Sequence, residues 1–111
     1  VVVPCSTGTL SAIAAGACNN LIERAADVVL KERRRLVLML RETPLHLGHI
    51  ETMAALTRMG AIIMPPVPAF YAKPQSIEEL ITHSSARALD LFDIDTGAVR
   101  RWSGLKEGLL T

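Results

Sequence analysis

The chain has 111 residues, 50% of them hydrophobic and 4% aromatic, with a formal net charge of +1. That length suits one small domain burying roughly two thirds of its unfolded surface. The near-neutral charge argues against a nucleic-acid binder, which carries a larger and more clustered basic excess. No stretch reaches the ~18 uninterrupted apolar residues of a bilayer span. Nor does a basic head with an apolar run and a cleavage site open the sequence, so the expected location is the cytoplasm.

Val1 to Val3 reads as a buried strand closed by Pro4. A chain that opens mid-strand without an initiator Met is expected to be a piece whose upstream half lies elsewhere. Thr9 to Cys18 reads as a small-residue helix with Thr7 or Thr9 as its N-cap. Asn19-Asn20 interrupts it, and Leu21, Ala25, Val28 and Val29 recur at helical spacing in a second segment. The basic run Lys31 to Arg35, with Glu32 inside it, marks a solvated helix end. Leu36 to Leu40 is a continuous apolar run of strand length, and the following Thr-Pro favours strand over buried helix. Leu47 to Met59 repeats apolar residues at Leu47, Ile50, Met53, Ala54 and Leu56, a helix ended by Gly60.

Ala61 to Met64 is the next strand, stopped by Pro65, Pro66 and Pro68. Ser76 with Glu79 makes a capping box for the last helix, whose inner face is expected to carry Ile77, Leu80, Ile81, Ala88 and Leu91. The expected organisation is an α/β domain over residues 1–94 and a tail over 95–111 that makes oligomer contacts. Cys5 and Cys18 are expected as buried thiols rather than a disulfide, as in a reducing compartment.

Strands alternating with helices imply a parallel sheet, whose ligand crevice lies at the carboxyl ends of the strands. Three segments sit at such ends: "CSTGT", "RET" and "PPVPAFYAKP". The first supplies the hydroxyls of Ser6, Thr7 and Thr9 around Gly8 at a helix N-terminus, a setting that suits a phosphate. Simple capping explains one of those hydroxyls equally well. It is neither a Walker loop nor a dinucleotide fingerprint, because Gly8 stands without partner glycines.

The second segment places Arg41 beside Glu42. Arg24 and Lys31 share one helical face, Tyr71 lies in a proline-rich loop, and Arg87 is mid-helix. Taken singly, each has an ordinary reading as a solvated or packed side chain. Asp90, Asp93 and Asp95 read as a solvated helix end, and His46 with His49 as helix-start residues. His83 has no identifiable companion, and no metal site is expected.

The runs "CSTGTLSAIAAGACNNLIERAADVVLKERRRLVLMLRETPL" and "AIIMPPVPAFYAKPQSIEEL" resemble the flavin prenyltransferase (UbiX-like) family. That family includes small subunits associated with hydroxyarylic acid decarboxylases. The resemblance runs from Val1 to about Trp102 and covers the carboxyl half of the family pattern. It implies a Rossmann-like, three-layer α/β/α flavoprotein fold with a parallel sheet. It also implies transfer of a dimethylallyl group from dimethylallyl phosphate to reduced FMN, giving prenylated FMN for a UbiD-like decarboxylase.

By this resemblance the flavin contacts fall on Ser6, Thr7, Gly8, Thr9 and Arg41. The prenyl phosphate contacts fall on Tyr71 and Arg87, with Lys31 and Arg41 close to the same phosphate, and Lys31 and Glu42 carry the catalytic roles. Glu42 matches the acid/base carboxylate, and Arg24 matches a further family arginine. No metal is implied. The family's sites are shared between copies of a homo-oligomer, a dodecamer, with Arg100, Arg101 and Trp102 near a neighbour's site. His83, Ser84 and Ser85 depart from a more apolar family helix, and Arg35 replaces a proline. Two other readings stay open: a flavin-dependent cysteine decarboxylase, and a truncated subunit keeping only oligomer contacts. Whether the product serves quinone synthesis or aromatic acid decarboxylation also stays open.

Overall fold

The computed structural model describes residues 1–98. They fall in two compact units, one from Val1 to Pro66 and a second beginning at Val67. The expected tail contacts of Arg100, Arg101 and Trp102 lie outside the described residues.

The first unit runs β1 (Val2–Cys5), α1 (Thr7–Ala14), α2 (Leu21–Lys31), β2 (Leu36–Leu40), α3 (Leu47–Arg58) and β3 (Ala61–Ile63). The three strands form one parallel sheet in the order β1-β2-β3. The α/β class and the parallel sheet are those expected from the alternating pattern. β2 is central and buried at every position. Leu36, Leu38 and Leu40 join Leu10, Ile13, Leu30 and Leu56 in the core. Val37 and Met39 point the other way and are equally buried. A strand covered on both faces has no polar side to show, which is why this one reads as an unbroken apolar run.

Several boundaries differ from expectation. β1 does not stop at Val3 but passes through Pro4 to Cys5. Its register against β2 shifts between Val2 and Cys5, because proline offers no N–H to the ladder and an extra residue is taken up there. The first helix starts at Thr7 rather than Thr9, and its cap is Ser6, whose Oγ accepts the Thr9 N–H. It ends at Ala14, well short of Cys18, where Gly16 turns left-handed at φ 72°.

Asn19-Asn20 is a start signal as well as an interruption. The Asn20 side chain accepts the Glu23 N–H, and the Glu23 carboxylate accepts the Asn19 N–H. That reciprocal pair accounts for a glutamate buried at the head of α2. Cys5 is buried as expected, but Cys18 is exposed, and both thiols are free.

Among the described residues, the second unit holds a 3₁₀ turn at Phe70–Ala72 and α4 (Ile77–Asp90). Ser76 caps α4 by accepting the Glu79 N–H. The Glu79 carboxylate reaches the N–H of Gln75 instead of returning to Ser76, a variant of the expected box. The covered face matches expectation only in part, with Ala88 buried and Leu80 and Leu91 half-buried. Ile77 and Ile81 are 76% and 60% exposed, while His83, Ala86 and Ala88 are buried. Apolar spacing shows that a helix forms, but α4 carries apolar residues on more than one side, Ile77 and Ile81 on one and Ala86 on another, so spacing alone does not fix which of them are covered. Among the described residues no helix is long and apolar enough to cross a membrane.

Candidate functional site

The carboxyl edge of the sheet gathers most of the candidate residues of the first unit. β1 hands directly to α1 through Ser6, so Ser6, Thr7, Gly8 and Thr9 form the start of that helix, with Ser6 and Gly8 exposed and Thr7 and Thr9 half-buried. Ser6 and Thr9 are occupied locally: Ser6 Oγ takes the Thr9 N–H and donates to Thr9 Oγ1, both at 3.1 Å. A side chain at Gly8 would meet only Ser6 Oγ, at an ordinary 3.8 Å. The missing Cβ therefore leaves open space beside this turn, into which a ligand can approach the backbone.

Arg41 joins the same rim, because its N–H donates to the Cys5 carbonyl at 3.2 Å. The strand end that carries Arg41 is thus tied to the residue preceding Ser6. Arg24, Lys31 and Arg87 each pair with a neighbouring carboxylate, of Asp27, Glu32 and Asp90 respectively. Arg41 is exposed and makes no ion pair among the described residues. Its planar fork of donors is available to an anion. Glu42 follows, exposed, with one carboxylate oxygen accepting the Thr43 N–H at 3.2 Å.

Lys31 does not share this rim. It closes α2 and shares a groove with Arg33, Arg58 and Gly60, at the end of the sheet where β2 and β3 begin. The five residues of β2 separate the two edges, roughly 15 Å at ~3.3 Å per residue. The expectation that Lys31 and Arg41 serve one phosphate therefore fails within a single chain. The reason is topological: Lys31 precedes the strand and Arg41 follows it. Arg24 is also on α2, 58% exposed in its side chain.

In the second unit, Tyr71 sits in the 3₁₀ turn and Arg87 on α4, where its Nη1 meets Asp90 Oδ2 at 2.7 Å. His83 has a companion that the sequence did not reveal. Its Nε2 lies 3.5 Å from the Tyr71 hydroxyl, and the two rings meet edge to face. The pair is separated by twelve residues, and only the fold of the Lys73–Ser76 connection brings them together. His46 and His49 behave as helix-start residues, each ring accepting the other's N–H, at 3.3 Å. Among the described residues no group of His, Cys, Asp and Glu is arranged to hold a metal.

The family model named Flavoprotein matches residues 1–105. This chain belongs to the flavoprotein family. Within that family its sequence is UbiX-like. It is 54% identical over 107 residues to the flavin prenyltransferase UbiX of Neisseria meningitidis, an alignment covering 96% of this chain and 57% of that protein. To the flavin prenyltransferase UbiX of Pseudomonas aeruginosa it is 56% identical, over 92% of this chain and 49% of that protein.

Among solved structures, AnUbiX in complex with FMN and dimethylallyl pyrophosphate superposes with a TM-score of 0.90 at 62% identity, covering 93% of this chain and 55% of that chain. A dodecameric FMN-dependent UbiX-like decarboxylase from Escherichia coli superposes with a TM-score of 0.87 at 50% identity, covering 91% and 55%. The flavoprotein chain thus spans about half the length of the relatives it matches.

Proposed function

We propose that this chain carries flavin prenyltransferase chemistry, moving a dimethylallyl group from dimethylallyl phosphate to reduced FMN. The observation that carries the reading is the shared rim: an open, hydroxyl-rich helix start and an arginine with no ion pair among the described residues, tied together through the Cys5 carbonyl. The close likeness to AnUbiX in complex with FMN and dimethylallyl pyrophosphate supports it.

In this reading the first turn of α1 and Arg41 hold the flavin through N–H, hydroxyl and guanidinium donors. Reduced FMN supplies the electron-rich acceptor for the prenyl group. Tyr71 and Arg87 hold the phosphate while the allylic C–O bond breaks, and fixed donors lower the cost of that developing charge. Bond formation at the acceptor releases a proton, which Glu42 takes. Lys31 enters only from a second copy of the chain, since its own copy holds it at the far edge of the sheet. Assembly with further copies, a cytoplasmic location and delivery of the product to a UbiD-like decarboxylase belong to the same reading.

The test uses the chain alone, and the chain joined to the amino-terminal half of the Neisseria meningitidis relative. Each is mixed with reduced FMN and either dimethylallyl phosphate or the pyrophosphate, and the flavin is weighed by mass spectrometry. A five-carbon gain supports prenyl transfer. A gain only in the joined protein supports the second reading for the chain alone, a subunit that keeps only oligomer contacts. No gain with either protein overturns the assignment.

A further inference from the structure

The second unit contains a contact to which the proposed chemistry gives no role. His83 is buried, only 8% exposed, two turns into α4, and its Nε2 faces the Tyr71 hydroxyl at 3.5 Å. The connection between them is held at both ends. Lys73 ends the 3₁₀ turn in the left-handed region, and its carbonyl accepts from Gln75 Nε2 at 3.1 Å. The Gln75 N–H is held by Glu79, and the Glu79 N–H by Ser76. These bonds order the loop, so the meeting of Tyr71 and His83 is not left to chance. Arg87 follows His83 by one helical turn and so lies on the same face of α4. His83 therefore neighbours both residues proposed to grip the phosphate.

The chemistry of the pair then depends on one proton. A neutral imidazole has one donor and one acceptor nitrogen. If Nε2 accepts, the phenol proton is spent on His83, and Tyr71 turns only lone pairs toward an anion. If Nε2 carries the hydrogen, it donates to the phenol oxygen, and the phenol proton is released to point at the phosphate. A donor hydrogen bond into the oxygen also polarises the O–H and strengthens it as a donor.

We propose that His83 is a positioning residue for the phosphate end of the site: protonated at Nε2, it donates to the Tyr71 oxygen and so aims the Tyr71 O–H at the phosphate. This rests on the reading of Tyr71 as a phosphate contact. His83 touches neither substrate nor flavin in this scheme and acts through Tyr71.

Tyr71 is the single tyrosine of the chain, so the tyrosine Cζ NMR signal reports this residue alone. In the full chain without ligand, His83→Phe should shift that signal, and His83→Gln, whose side-chain amide can still donate, should return it toward the original position. An unmoved signal in His83→Phe overturns the proposal. On titration with dimethylallyl phosphate the Tyr71 signal should shift to saturation. His83→Phe should need about 3- to 10-fold more ligand for half-saturation, the share of one net hydrogen bond, and His83→Gln should stay within about twofold.

Equal half-saturation in His83→Phe and the native chain overturns the role of His83 while leaving the phosphate reading intact. No ligand-dependent shift in the native chain overturns the phosphate reading of Tyr71 and the role of His83 with it. Should His83→Phe fold poorly, His83→Leu serves in its place with the same expected outcomes.

Discussion

Ser6 offers a direct way to separate helix capping from ligand binding, because its local work is fully described. α1 has only eight residues, and Ser6 Oγ satisfies the Thr9 N–H while donating to Thr9 Oγ1. Ser6→Ala removes the cap acceptor, a loss of about 1 kcal/mol. The exposed hydroxyl pair adds at most ~0.5 kcal/mol. For a chain of this size 1 kcal/mol corresponds to roughly 4–6 °C in Tm, so thermal melts followed by circular dichroism should show a drop of about 4–8 °C. Ser6→Asn keeps an N-cap acceptor and should recover most of it.

Flavin affinity, followed by flavin fluorescence in the protein joined to its relative's amino-terminal half, should behave differently. Both variants should weaken binding by about 3- to 10-fold, since asparagine restores the cap but not the hydroxyl. If Ser6→Asn restores stability and flavin binding together, the residue is a cap and nothing more. If Ser6→Ala leaves Tm unchanged, the capping bond itself is not worth what its geometry implies.

Leu38→Ala, at a fully buried position of the central strand, should cost about 2–5 kcal/mol in urea unfolding; a loss below ~1 kcal/mol would mean that the β2 core collapses around the cavity. Glu42→Gln should keep flavin affinity but slow adduct formation by at least about 100-fold, and equal loss of both would remove its proton-handling role. Arg87→Ala should raise the concentration of dimethylallyl phosphate needed while sparing FMN; unchanged substrate dependence would take Arg87 out of the site. Burial raises the Cys5 thiol above its ordinary 9.0, so the unfolded chain gives up that proton first. Its contribution to stability is complete below pH 9.0 and is lost as pH climbs through the folded value. Cys18 should meanwhile react with a thiol reagent in the native chain while Cys5 stays protected, and simultaneous labelling would contradict their different burial.

Local signals carried a large part of this fold. The run Leu36–Leu40 favoured a buried strand through its length and the Thr-Pro after it, and Ser76 with Glu79 announced α4 because a cap is a short-range hydrogen bond between near neighbours. The site residues on the sheet's carboxyl edge were legible for a similar reason: topology puts whatever follows a parallel strand at that edge, and Ser6 and Arg41 both follow one.

What sequence alone left undecided depends on contacts between distant residues. The spacing of Arg24 and Lys31 showed a common helical face but not what that face meets, and the groove Lys31 shares with Arg33, Arg58 and Gly60 exists only once the helices pack on the sheet. Periodicity found α4 and the burial of Ala88 but not that of His83, while Ile77 and Ile81 stay exposed. The meeting of Tyr71 and His83 spans twelve residues and a turn, and no local preference encodes a contact that exists only once the chain has closed on itself.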